Sequence, residues 1–167
     1  MQNLLENSII NMMQINASKE RRQFMNHELS AEEPIKKALN AHYKLSIEQH
    51  DPYYQLFVKL GANPNTGNGI GISEKVLERD LEAVKFLHSY GADLTPGLVI
   101  AIKEGLVDYA EYFLQNGARP AEWEVEPAVK YQDIPMLELL HKYHVKIADR
   151  LKPAVKELGI DWDEEIA

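Results

Sequence analysis

Apolar positions recur in a fixed frame along the middle of this chain. Four stretches superpose on Gly61, Gly91, Gly117 and His144: PYYQLFVKLGAN (52–63), DLEAVKFLHSYGAD (80–93), LVDYAEYFLQNGAR (106–119) and DIPMLELLHKYHVK (133–146). One column of that frame holds Phe57, Leu87, Phe113 and Leu140. A second holds Tyr54, Val84, Ala110 and Leu137, and a third holds Leu56, Phe86, Tyr112 and Leu139. Apolar columns three residues apart, among neighbours that vary, predict one buried helix face repeated four times.

A second apolar segment precedes three of these stretches: LVIAIK (98–103), VEPAVK (125–130) and LKPAVK (151–156). Their offsets are 125 − 98 = 27 and 151 − 125 = 26 residues, the spacing of the glycine column. Each unit therefore reads as a short helix, a turn, a longer helix and a loop. Asp51, Asp80 and Asp133 stand where a carboxylate can cap the longer helices, and Pro52 and Pro135 fall in their first turns. Thr95 is expected to cap the helix opened by Pro96. Glycine suits the left-handed residue that ends a helix; His144 in its place either accepts the strain or marks a different turn. Units of this length cannot bury their faces alone and must stack.

Thr95 and Pro96, followed by Ala101 and Gly105, and the Gly91-Ala92-Asp93 helix end carry a resemblance to the ankyrin repeat. Gly61-Ala62-Asn63 and Gly117-Ala118-Arg119 are variants of that helix end. The resemblance spans about residues 40–160. It implies an all-α, ankyrin-like helical-repeat solenoid of about four units, with helical N- and C-terminal caps. It also implies non-catalytic protein binding through a concave surface of short helices and loops, modulating or inhibiting the partner. The loops depart from the family: Gly91 to Leu98 is 7 residues and Gly117 to Val125 is 8. Those lengths are short for the finger of a full unit of about 33 residues, which speaks against recognition by long fingertips.

Residues 1–34 lack the repeat frame. Leu4, Leu5, Ile9, Met12 and Met13 suggest a short amphipathic helix, and the polar segment from Ser18 to Phe24 a second. A solenoid must cover its terminal faces, so this stretch reads as an N-terminal helical cap before a repeat domain over 35–167. A docking helix is the sharper alternative. The first 18 residues carry only Glu6 as a charge, which disfavours an anionic membrane surface. Leu151 to Leu158 reads as the closing cap, followed by an acidic tail from Asp161 to Glu165.

The charge is unevenly placed. Residues 1–60 carry 7 Lys+Arg and 7 Asp+Glu, whereas residues 61–167 carry 11 and 19, so the whole net charge of 11 − 19 = −8 lies in the repeat half. An acidic surface repels phosphate backbones and steers basic partners, while also serving solubility. The expected partner is another protein, of basic character, with no direct nucleic acid and no membrane. The alternative is an acidic decoy that occupies the nucleic-acid site of a basic protein. The chain has no cysteine, which removes disulfides and thiolate chemistry and fits a cytoplasmic setting.

Candidate chemistry is sparse. Gly67, Gly69 and Gly71 mimic a phosphate loop, but they follow a helix end and carry no Lys or Arg, so they read as a flexible turn in the longest finger. His141 and His144 share one helix end without further ligands singled out for zinc. No nucleophile motif occurs, and no catalytic residue, cofactor or metal is expected. Interfaces favour aromatic and arginine anchors, which points to Arg119 and Trp123 beside Glu122 and Glu124. Tyr131, Lys103, Glu104 and Asp93 extend that partner-binding patch. Trp123 has a second reading, in which it fills the gap left by the short finger and is buried.

Overall fold

The computed structural model describes residues 32–163, and among these the chain is all-helical: nine α-helices and one 3-10 turn, with no strand. The expected helices before residue 32 and the last residues of the acidic tail lie outside the described residues. The chain divides into two compact units, one ending at Gly67 and the other beginning at Asn68.

The first unit contains α1 (Glu32–Glu48) and α2 (Tyr54–Lys59), packed on each other. Helix α1 is continuous across residue 34, where the sequence placed the edge of the cap. Its buried stripe is Leu39, Tyr43 and Ile47, spaced by four. The buried Tyr43 hydroxyl donates to the Pro64 carbonyl at 3.1 Å, and burial pushes its pKa well above the usual tyrosine value. Asn40 Oδ1 accepts the Asn63 N–H at 2.7 Å, and His42 stacks on Phe57.

In the second unit, α3 (Thr66–Leu77, opening at the divide) precedes α4 (Leu81–Ser89), α5 (Thr95–Lys103) and α6 (Val107–Gln115). Then come α7 (Glu126–Lys130), α8 (Ile134–Lys142), the 3-10 turn Asp149–Leu151 and α9 (Lys152–Glu157). Helices α3, α5 and α7 form one layer. Ile72 of α3 and Phe113 of α6 close so tightly on Gly97 of α5 that a Cβ there would lie 2.4 Å from the first and 2.7 Å from the second; α5 in turn packs on α7. Helices α4, α6 and α8 form the other. His88 Nδ1 and the Tyr112 hydroxyl join α4 to α6 at 2.9 Å, and Lys142 reaches Glu111 at 3.1 Å between α8 and α6.

All nine helices end in the same way. A left-handed residue follows each, at positions 50, 61, 79, 91, 105, 117, 132, 144 and 159. The next amide then donates back to the carbonyl five residues earlier, from Asp51 to Ser46 through to Ile160 to Val155. That bond satisfies a carbonyl the helix would otherwise orphan. The residue after the corner in the superposed frame is small and buried: Ala62, Ala92, Ala118 and Val145. His144 keeps the turn, with φ 53° where its counterparts are glycine, so the strain is accepted and the turn is unchanged.

Several expectations need correction. The first two columns are buried throughout, but Leu56, Phe86 and Tyr112 of the third are only half-buried, and Leu139 alone is buried. That column lies about 100° around the helix from its neighbour and so sits on the margin of the stripe. The second helix of a unit is not regularly the longer one: α5 and α6 both have 9 residues, and α3 has 12 against 9 in α4. The apolar run 98–103 marked only the later part of α5, whose first turn holds Thr95 and Pro96. Thr95 does not cap α5; it is its first residue, and its own N–H goes to Asp93 Oδ1 at 2.9 Å. Asp80 and Asp133 do cap, accepting from the amides of Ala83 and Met136, but Asp51 accepts from Tyr53, ahead of α2. Pro52 likewise precedes α2. Gly67, Gly69 and Gly71 are not a loop but part of α3. Gly67, Asn68 and Gly69 have φ values of 66°, 56° and 76°, a left-handed opening turn that two glycines and an asparagine tolerate.

Candidate interaction surface

The segment between α6 and α7 is shaped by its own polar side chains. Arg119 Nη1 donates to the carbonyls of Leu114 and Ala118 at 3.1 and 2.7 Å, closing the end of α6. Glu124 Oε2 accepts the Ala121 N–H at 2.6 Å, a side chain reaching back over one turn. Val125 is fully buried and anchors the exit into α7. Asp93 performs the corresponding work in the previous loop through Thr95. Three residues expected at the partner surface, Arg119, Glu124 and Asp93, are therefore engaged in holding loops.

Trp123 is not buried. It is 64% exposed, although both flanking loop contacts are satisfied, so it does not fill the gap left by the short finger. Tyr131, after α7, is 68% exposed, and Ile134 at the start of α8 is also exposed. Large apolar groups left in water on consecutive turns are the kind of anchor that interfaces use.

Lys103, Glu104 and Tyr131 come together around one cavity of about 210 Å³, between the Gly105 and Tyr131 turns. Its walls are Ile102, Pro127 and Ala128, and Asp133 completes the lining. Asp133 Oδ1 caps α8, and Oδ2 lies over Gly105, 3.1 Å from where a Cβ would stand. Nothing in the sequence frame singled out Asp133 for this second role.

Glu122 lines a different cleft, of about 400 Å³, with His141, His144, Lys146, Lys152, Trp162 and Asp163 among its walls. The C-terminal segment forms one side. Trp162 Nε1 donates to the Val145 carbonyl at 2.9 Å and its ring packs against His141 at 5.1 Å. Lys156 holds Asp161 at 2.9 Å, and Lys152 bridges Asp163 and Asp149 at 2.7 and 3.1 Å. The Lys156 hydrogen bond keeps the Asp161 carboxyl below its usual pKa. The signal for this corner was a tryptophan inside an acidic tail. Among the described residues no group of three or more histidines or carboxylates is placed to hold a metal ion, and no helix is long and apolar enough to cross a membrane.

No family model matches the sequence, and neither a curated protein nor a solved structure matches it.

Proposed function

We propose that this chain is a non-catalytic protein-binding module, built as an ankyrin-like solenoid of about four helix-pair units with helical caps. The exposure of Trp123 and Tyr131 carries the binding reading. Two large aromatic rings stand in solvent on successive turns, with the exposed Ile134 close after the second. The solenoid reading is supported by the common helix end, which returns at intervals of 117 − 91 = 26 and 144 − 117 = 27 residues. The partner meets the face formed by α5, α7 and their loops and is inhibited or redirected by being held there. The setting is cytoplasmic, and the partner is basic.

Trp123→Ala tests this directly. It should leave the melting temperature within a degree or two, because the ring makes little buried contact, and it should abolish capture of the partner that wild-type protein retains from a lysate of its source. A large drop in melting temperature, or capture that survives the change, would refute the assignment.

The acidic-decoy reading draws on one specific observation, the confinement of the −8 charge to residues 61–167. The two readings separate on salt. A decoy loses its partner steeply as ionic strength rises, whereas an aromatic-anchored interface does not.

A further inference from the structure

We propose that the cavity between the Gly105 and Tyr131 turns receives an arginine side chain of the partner; this rests on the protein-binding reading and names the chemistry of the contact. The cavity, at about 210 Å³, has the size for one long side chain rather than a whole ligand. Its Ile102, Pro127 and Ala128 walls suit an aliphatic stem. The exposed Tyr131 ring offers a face on which a planar guanidinium can stack. Lys130 Nζ, 5.5 Å from the centre of that ring, is the cation that an incoming guanidinium would displace.

Carboxylate oxygens select the occupant. The lining carries those of Glu104 and Asp133 beside the ammonium of Lys103, and Lys130 also stands near the Tyr131 ring. Asp133 uses Oδ1 for its cap and turns Oδ2 toward the Gly105 turn, where it is available to a guanidinium donor. An acidic side chain would be repelled by those oxygens, an apolar one would leave them unpaired, and a neutral amide would pair without the charge. The surrounding half of the chain, at 11 − 19 = −8, adds long-range attraction of the same sign.

The probe is the blocked tripeptide acetyl-Gly-Arg-Gly-amide, titrated into the ¹⁵N-labelled full chain and followed by amide chemical shifts. Its control carries citrulline, which keeps the shape and loses the charge. The shifts should cluster at Gly105, Tyr131 and Asp133, and citrulline should bind about 2- to 5-fold more weakly or worse. Tyr131→Ala and Glu104→Gln, both at exposed positions, should each weaken the arginine probe while the remaining spectrum stays in place. Equal binding of the citrulline peptide, no saturable shifts, or shifts confined to Trp123 and Glu122 would each overturn the proposal. The probe is read with no partner present, so its failure is distinct from a failure of the Trp123→Ala capture experiment, which bears on protein binding itself.

Discussion

His144 holds a φ of 53° at a corner where three counterparts place glycine. A left-handed conformation costs a residue with a Cβ roughly 1–2 kcal/mol, partly offset because glycine has more freedom to lose on folding. His144→Gly should therefore stabilise the protein by about 0.5–1 kcal/mol. The reverse change, Gly117→Ala, meets no atom within 4 Å, so its cost is conformational alone, on the order of 1 kcal/mol. Urea melts of the two variants would check both signs. A destabilised His144→Gly would mean that the imidazole contributes contacts worth more than the strain. Arg119 teaches a related lesson. Its guanidinium closes the end of α6 instead of waiting for a partner, so Arg119→Ala should weaken folding before it weakens binding.

At the scale of the helix, burial separates positions that look alike in sequence. Phe113→Ala should cost about 3–5 kcal/mol, since the ring is fully buried against α5, while Phe86→Ala, on the half-buried margin, should cost about 1 kcal/mol. Chemical denaturation of the pair measures the difference directly, and equal losses would mean the margin is as well packed as the stripe. The repeated columns were legible because leucine and phenylalanine recur where only burial asks for them. The next column, Val58, His88, Leu114 and His141, was not, because two histidines interrupt it; they are half-buried and spend their rings on Tyr112 and Trp162. The left-handed opening of α3 was also hidden, since Gly-Asn-Gly reads equally as a loop. Trp123 and Tyr131 were legible as candidates, but exposure depends on how a loop is stapled, and the staples are single hydrogen bonds that no periodicity marks.

The C-terminal segment should respond to acid. Asp161 has a folded pKa below its unfolded value because Lys156 hydrogen-bonds the carboxylate. Its contribution is therefore fully present above the unfolded value, about 3.9, and is lost as pH falls through the lower folded value. In a Trp123→Phe background Trp162 is the one remaining tryptophan, and its emission should change in that acid window in the parent, whereas in Lys156→Met the change should already be present at neutral pH and the acid step should shrink. A Trp162 signal indifferent to both acid and Lys156→Met would show that the indole hydrogen bond to Val145 suffices to hold the segment.

For the whole molecule, the question is what the acidic half does at a distance. Glu104 and Glu122 are exposed, and Glu104 ends α5 through its backbone N–H and not its carboxylate, so changing both to lysine alters charge without removing a side-chain staple. Association with a basic partner should slow at low salt, and the gap from wild type should close as salt shortens the screening length to about 8 Å or less. Surface plasmon resonance across a salt series reads this. Equal on-rates at low salt would assign the charge to solubility.

The shared helix end has a consequence for how such a chain can change length. Gly91 and Gly117 occupy the same corner, each followed by a buried alanine, with 117 − 91 = 26 residues between them. Excision of residues 92–117 would join Gly91 to Ala118 and leave a normal corner at the junction, with one helix pair removed as a cassette. The shortened chain should remain helical by circular dichroism and unfold cooperatively at a lower temperature, having lost one stacking interface. A cut of the same length moved by about a quarter of a unit, removing 86–111, would join Lys85 in the middle of α4 to Tyr112 in the middle of α6 and should be tolerated as well, since the frame is kept. A cut of 13 residues would break the frame and should not fold. Gain and loss of whole cassettes would then be an open route for such a chain to change, with any single corner able to serve as the seam.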